Sequence, residues 1–338
     1  MKRLAKTAGA TALLAGVALI LERFLVAAPH HRGPKSDHFD GRRFYNQQPG
    51  WQSEGSFLKW QMNRRRGAWR DWVEAPPGPA PEARVDDGRL RVTLVNHATT
   101  LIQLDGVNLL TDPIWSERCS PVSWAGPKRR RPPGIRFEDL PPIHAVLISH
   151  NHYDHLDRPT LRALRRSTVI THLGNGAVIP GGARELDWWQ ELAVGDRVRV
   201  TAVPAQHFSS RGLSDRNANL WGGFVITGPS GSVYFAGDTG WGKHFAEIGK
   251  RFGPVRLALL PVGSYLPRWF MKPAHIDPAE MVDAHFELGA RMSVPMHYGT
   301  FELGDDGETE GIDELRRIAD RRGANIRILE FGAGFEIP

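Results

Sequence analysis

One cysteine, Cys119, is all the thiol this 338-residue chain contains. A lone cysteine excludes an intrachain disulfide and a zinc cage built from thiolates, while saying little about redox compartment. No period of about 20 to 50 residues recurs, which argues against a repeat array. An excess of acid is also missing. Lys and Arg number 43 against 37 Asp and Glu, a net charge of +6, and a sequence pI near 9.7 favours anionic partners. The basic runs Arg64-Arg65-Arg66 and Lys128-Arg129-Arg130-Arg131 lack the Gly-aromatic signature of an RNA-recognition module and any helix-turn-helix pattern. Nucleic acid is therefore not expected, and acidic lipid headgroups fit better.

Long apolar runs are scarce as well, with one exception. After the basic start Met1-Lys2-Arg3-Leu4-Ala5-Lys6, residues Ala8 to Leu21 are uninterruptedly small or apolar. Glu22 and Arg23 fall where a signal-peptide cleavage region would begin, and Pro29 spoils the site after Ala28. Counted on to Ala28, the stretch reaches a spanning length of ~20 residues. The reading is an uncleaved membrane anchor over residues 1–28 and a membrane-associated protein. A cleaved signal, giving a periplasmic or secreted protein, and a buried helix of a cytoplasmic one are the alternatives.

What the chain has in abundance is histidine in one place. His150-Asn151-His152-Tyr153-Asp154-His155 sets three imidazoles and a carboxylate directly after the apolar run Ala145-Val146-Leu147-Ile148. Protonated imidazoles so crowded would repel one another, whereas neutral imidazoles with a carboxylate suit a divalent transition metal, zinc above all. His150 and His152 point the same way in an extended segment, and Asp154 continues the alternation. A His-rich surface loop is the plain alternative.

Three further runs with strand character end on a ligand-type residue: Arg197 to Val203 leads to His207, Ser232 to Ala236 leads to Asp238, and Ser293 to Met296 leads to His297. Open α/β sheets place their sites beyond the carboxyl ends of strands, and four such ends fit one rim. Singly, each is weak, since a strand-end His is more often structural and an Asp before Thr more often a turn or cap.

The ordered pattern His-x-His-x-Asp-His, then His, Asp and His, resembles the dinuclear metallo-β-lactamase superfamily. Within it the chain resembles the phospholipases D that hydrolyse N-acylphosphatidylethanolamine. That likeness is carried by Leu110-Thr111-Asp112-Pro113-Ile114, by the segment Val146 to Asp157, by Glu185-Leu186-Asp187-Trp188-Trp189, by Phe235 to Gly240, by Pro267-Arg268-Trp269-Phe270-Met271-Lys272, and by His297-Tyr298-Gly299-Thr300-Phe301.

The resemblance implies a four-layer αββα sandwich of two mixed sheets, covering residues 90–338 as the catalytic domain. It implies two zinc ions, one on His150, His152 and His207, the other on Asp154, His155 and His297, with Asp238 between them. His275 matches a histidine beside the metals that assists at the reacting phosphate. The chain departs from the family pattern at Leu266, Ala274 and Tyr298; none is a ligand, so the departures bear on substrate preference. The chemistry expected is attack on the phosphorus of an N-acylated glycerophospholipid by a hydroxide held between the metals, oriented by Asp154 and assisted by His275. Another hydrolase of this fold (lactonase, β-lactamase or nuclease) and a non-catalytic, membrane-tethered zinc-binding protein are the competing readings.

Residues 29–89 form an extension ahead of that domain. Phe57, Trp60, Trp69 and Trp72 recur at roughly helical intervals among basic residues, a mix suited either to an anionic membrane surface or to packing on the main domain. Ala75 to Pro81 reads as a stiff extended connector. His97 is expected to make a core hydrogen bond under the site, and His144, His172, His244 and His285 to be surface or satisfied core residues. Strands are expected over Leu90 to Val95, Thr100 to Leu104 and Val107 to Leu110, with a turn at Asp105-Gly106. Helices are expected over Arg158 to Arg166 and Pro278 to Leu288, the latter capped by Asp277.

Overall fold

The computed structural model describes residues 26–48 and 56–338. The apolar run from Ala8 to Leu21 lies outside the described residues, and among those described no helix is long and apolar enough to cross a membrane.

Helix α1 (Phe57–Met62) precedes the strands, its N-terminus capped by Ser56, whose side chain accepts the Lys59 N–H. An antiparallel meander follows: β1 (Leu90–Asn96), β2 (Thr99–Leu104) and β3 (Val107–Thr111). Asp105 and Gly106 both take positive φ, 48° and 83°, so the two-residue turn twists with its strands. The chain continues through β4 (Ala145–Ile148), α2 (Arg158–Ala163), β5 (Thr168–His172) and β6 (Arg184–Leu186). Helix α2 starts at its Pro-containing first turn but stops short of Arg166: the Leu164 N–H makes a last helical bond to Thr160, and the chain then turns, with the Ser167 N–H donating to the Leu164 carbonyl at 2.9 Å.

The second half contributes β7 (Glu191–Val194), β8 (Val198–Val203), β9 (Gly223–Gly228), β10 (Gly231–Phe235), α3 (His244–Phe252), β11 (Leu257–Pro261) and the short α4 (Arg268–Met271). It ends with α5 (Pro278–Glu287), β12 (Ser293–Met296), α6 (Glu310–Arg322) and β13 (Gly334–Glu336). Asp277 caps α5 in a reciprocal box with Glu280, and Pro278 sits at the first helical position, where its missing N–H costs nothing.

Two mixed sheets result. Seven strands run β13-β1-β2-β3-β4-β5-β6 and six run β12-β11-β10-β9-β8-β7. Between them lies a continuous apolar core, with Leu94, Ile102 and Leu147 from one sheet and Val200, Phe224, Phe235 and Leu259 from the other. Helices α3, α5 and α6 lay Phe245, Ile248, Met281, Val282, Ile312 and Leu315 on the same core. On the first sheet's other face, Val95, Leu101, Leu110, Val146 and Ile148 pack on Leu161 of α2. Each fully buried side chain of this size contributes about 1.5 to 3 kcal/mol, and both faces of each sheet require cover. That requirement produces the four layers.

The extension is tied to this body. Phe39 and Phe44 are buried with Trp188, Leu220 and Trp221. Ala28 donates its N–H to Asp215 Oδ2 at 2.6 Å. Trp60 is buried, its indole N–H donating to Asp305 Oδ1 at 3.0 Å, while Phe57 and Trp72 stay exposed. Around it Arg64 pairs with Asp305 at 3.2 Å, Arg70 with Glu308 at 2.6 Å and Arg130 with Glu302 at 3.0 Å. Much of the two basic runs is thus spent on internal ion pairs. The proline-rich connector also lies against the domain: Gly78 donates to the Gly134 carbonyl at 2.7 Å, and a Cβ there would sit 2.2 Å from the Gly332 carbonyl oxygen.

Candidate metal centre

Ends of strands from both sheets meet at one rim. Past β4, Ser149 anchors the metal loop: its N–H and hydroxyl donate to the two oxygens of Asp112, at 2.7 and 2.6 Å. Asp112 also accepts from His155 Nδ1 at 2.6 Å, with both side chains wholly buried. From the other sheet, β8 delivers His207, β10 delivers Asp238 and β12 delivers His297. Gly237, at φ 64°, allows the Asp238 turn to approach Ser149, whose Cβ would lie 2.6 Å from any added Cβ. Asp112 and His297 themselves hold left-handed φ of 33° and 63°, and His97 one of 44°. Such backbone costs on the order of 1 to 3 kcal/mol per residue and persists where surrounding structure over-determines it.

Two ligand groups form. His150, His152 and His207 bring one nitrogen each within 4.8 Å of one another; so do His97, Asp154, His155 and His297 with one donor atom each. Asp238 faces both: its Oδ2 lies 3.2 Å from His155 Nε2, 3.1 Å from His297 Nε2 and 3.9 Å from His207 Nε2. All seven residues expected as ligands are therefore neighbours, with His97 added to the second group, and two further groups, Asp112 with His150 and His155 and His207 with Asp238 and His275, cross the expected division.

Orphaned atoms test whether a metal suits this place. His155 Nε2, His297 Nε2 and Asp238 Oδ1 are buried without a hydrogen-bond partner. Buried polar atoms are normally satisfied, and these three converge on the centre, as imidazole and carboxylate donors to a divalent cation would. Second partners orient the rings: His207 Nδ1 lies 3.0 Å from the Ala274 carbonyl and His150 Nδ1 2.9 Å from Ser149 Oγ. Such outer contacts fix the tautomer that presents Nε2 inward.

Electrostatics divide the groups. Burial, reinforced by neighbouring imidazoles, holds His150 and His207 well below the ordinary histidine value. Burial also takes His152 down to about 4. These three stand neutral, lone pairs available. Burial alone would depress His155 and His297 too, but Asp238 and Asp154 outweigh it, raising His155 well above normal and His297 to about 9. Asp154 and Asp238 overcome their own burial through these imidazoles and fall well below the carboxylate range.

His275 stands at the edge of the centre, grouped with His207 and Asp238, its ring 5.3 Å from that of His207. Burial lowers it to about 4, and its Nδ1 has no partner. Arg268 fixes the loop that carries it, donating to the His275 carbonyl at 2.7 Å and to Glu280 Oε2 at 2.8 Å.

Residues left out of the expected ligand set also belong. His97 Nε2 lies 2.8 Å from Asp154 Oδ2, a core hydrogen bond under the site as expected. Asp112 had no assigned role; its signal was a carboxylate at the end of β3 inside the Leu-Thr-Asp-Pro block, with nothing local to say which ring it would hold. Of the other histidines, His144, His244 and His285 reach Asn108 N–H, Thr239 Oγ1 and Ser293 Oγ. His172 is buried in the core against Phe224, its ring lying on the backbone of Gly222 and Gly223. The departures at Ala274, Leu266 and Tyr298 leave the ligands untouched. Ala274 holds His207 through its backbone, the Leu266 N–H reaches Asp306, and the Tyr298 ring packs on Phe331.

Comparison with known proteins agrees with this geometry. A family model described as the beta-lactamase superfamily domain matches residues 107–298. The chain is 39% identical over 251 residues to N-acyl-phosphatidylethanolamine-hydrolyzing phospholipase D 1 of Caenorhabditis elegans, covering 69% of this chain and 70% of that protein. It is 32% identical over 258 residues to a metal-dependent hydrolase of Methanopyrus kandleri, covering 73% and 100%. Among solved structures, a metallo hydrolase from Ignicoccus hospitalis superposes with a TM-score of 0.55 at 23% identity, covering 74% of this chain and 99% of that one. With the fold, the two ligand groups and these relatives in agreement, the chain belongs to the beta-lactamase superfamily as a metal-dependent hydrolase.

Proposed function

We propose that this protein is a dinuclear zinc phosphodiesterase of the phospholipase D type that acts on N-acylated glycerophospholipids at a membrane surface. The observation that carries the reading is the placement of Asp238 Oδ2 between His207 of one ligand group and His155 and His297 of the other, at 3.9, 3.2 and 3.1 Å. His150, His152 and His207 would hold one ion, Asp154, His155 and His297 the second, and Asp238 both. When bound, such a pair supplies a water deprotonated near neutral pH and positive charge opposite the attacked and departing oxygens.

The chain's own residues do the rest. Asp154 is aimed by His97, so its carboxylate is held rather than free to rotate. With a pKa near 4, His275 is neutral at physiological pH. It is therefore a hydrogen-bond donor to a phosphoryl oxygen rather than a ready proton source, and stabilises charge that grows in the transition state. Arg268 of α4 holds the His275 loop, and on the same short helix Phe270 stacks on the buried Trp60 at 5.1 Å while Lys59 lies 5.1 Å over the Trp269 ring, which ties α1 to the segment leading to His275. Phe57, Leu58 and Met62 of α1 are 63, 67 and 77% exposed, which supports contact of α1 with a lipid surface. The 39% identity to the nematode phospholipase supports the same substrate class.

The test joins metal analysis to a substrate panel. Purified protein is assayed for bound zinc and for release of phosphatidic acid from N-acylphosphatidylethanolamine, beside phosphatidylethanolamine and an acyl lactone. Zinc near two per chain with turnover of the N-acyl lipid is expected. Turnover confined to the lactone would transfer the protein to another branch of the superfamily, and metal-loaded protein inert to the whole panel would sink the enzymatic reading.

A further inference from the structure

A cavity of about 1090 Å³ lies beside the metal loop, lined by Tyr153, Arg158, Arg162, Arg211, Arg118 and Arg32. No residue assigned to the metals lines it. Two carboxylates share its wall: Glu117 is neutralised by Lys128 at 2.7 Å, and Asp157, which keeps its charge, is turned onto Ser116 Oγ and Thr160 Oγ1 at 2.8 and 2.6 Å. The guanidinium groups are not balanced in this way. The Arg118 guanidinium donates to the Gly126 carbonyl with Glu117 nearby, and that of Arg211 to the carbonyls of Asn151 and Leu156 and to Tyr153 with Asp215 nearby, but neither guanidinium forms an ion pair with its neighbouring carboxylate. Among the described residues Arg32, Arg158 and Arg162 form no ion pair.

That contrasts with Arg64, Arg70 and Arg130, which carboxylates neutralise. Like charges gathered in a concave wall repel one another and raise the local concentration of anions. The forked donors of arginine match phosphate oxygens two at a time. Burial, with the Arg158 charge adding to it, already lowers the pKa of Arg211, the strain an incoming anion would relieve.

We propose that this cavity is a phosphate-binding subsite, separate from the metal centre and mechanically joined to it. The joint is Arg211, which spans the metal loop from the Asn151 carbonyl (2.8 Å) to the Leu156 carbonyl (3.1 Å) while its guanidinium lies 3.8 Å over the Tyr153 ring. Filling the cavity pulls on a residue that grips both ends of the segment carrying His152, Asp154 and His155. The volume exceeds what a bare phosphate needs, so the group arrives on a larger body, either a lipid headgroup or a soluble phosphate ester. The first source gains weight from Val26 and Ala27, which also line the cavity and come shortly after the apolar run that ends at Leu21.

The test uses the metal-loaded full chain and two probes, inorganic phosphate by calorimetry, and vesicles of phosphatidylcholine with and without phosphatidic acid by sedimentation. The variant is Arg158→Gln/Arg162→Gln, both on the exposed face of α2 and outside the catalytic machinery. Loss of two charged donors is expected to weaken phosphate binding by about tenfold or more. The same variant should lose preference for phosphatidic acid vesicles if the ligand is a headgroup, and keep equal binding to both vesicles, like the parent, if it is soluble. Arg158→Lys/Arg162→Lys, which keeps the charge, should recover part of the affinity and guards against a folding artefact. Phosphate affinity and vesicle preference both unchanged in the Gln variant, or absent from the parent protein, would overturn the proposal.

Discussion

Asp112 grips His155 Nδ1 at 2.6 Å from the far side of the ring, and the same carboxylate takes both donors of Ser149. One buried side chain thus sets the orientation of a metal ligand and pins the start of the loop that carries three others. Asp112→Asn should keep the shape but replace an acceptor by a donor. Zinc affinity is expected to fall by about 10- to 100-fold, the usual cost of losing an outer partner. Competition against a fluorescent chelator measures it; unchanged affinity would show that the ring is held by packing alone.

Asp238 carries a different burden, because it faces both ligand groups. Asp238→Asn removes the charge that raises His155 and His297, and His155→Ala removes a donor outright. Either change should abolish phosphodiester turnover and lower bound metal while leaving the circular dichroism spectrum and the apolar core intact. Full activity in Asp238→Asn would contradict a shared bridging carboxylate.

Protonation of the metal-free protein gives a third expectation. His152 and His275 are held near 4, so the unfolded chain, with histidines near 6.5, binds more protons than the folded one between those values. Their contribution to stability therefore falls as pH drops from 6.5 toward 4. His297, raised to about 9, works the other way: its contribution is full below 6.5 and is lost as pH rises through 9. The histidine contribution to melting temperature should peak near pH 6.5 after chelation. Because metal must displace the His297 proton, zinc affinity should climb with pH up to about 9. Affinity independent of pH between 6.5 and 9 would show His297 outside the metal's reach.

The latch between extension and domain is the fourth. Asp305 accepts from the Trp60 indole, from Arg64 Nε and from the Arg65 backbone at 3.0, 3.2 and 3.1 Å. Asp305→Ala strands all three donors, each costing on the order of 1 to 3 kcal/mol where burial is complete. Trypsin should then cut at Arg64 to Arg66 faster than in the parent, with the catalytic domain left whole. An unchanged cleavage rate would place the latch in Trp60 packing instead.

Much of the centre was legible because its ligands follow strands. Apolar runs such as Ala145 to Ile148 and Ser293 to Met296 mark strands by composition, and strand ends of one sheet edge share a rim. Local chemistry likewise marked the Asp105-Gly106 turn and the Asp277 cap. What stayed hidden depends on distance along the chain. Asp112 is 43 residues from the ring it orients, and Trp60 is 245 from its acceptor. No propensity or spacing encodes such partners, so the extension read as membrane-facing or packed with equal right, and the connector as a spacer where backbone contact among Gly78, Gly134 and Gly332 docks it.

The two sheets each own part of the centre: His150, His152, Asp154 and His155 follow β4, while His207, Asp238 and His297 follow strands of the other. Bound cations would consequently act as rivets across the sandwich, closing only after its halves have met. Loading would thereby report on assembly: a nascent or damaged molecule whose sheets have slipped apart would be left unarmed, and hydrolytic power would stay confined to chains that have finished folding.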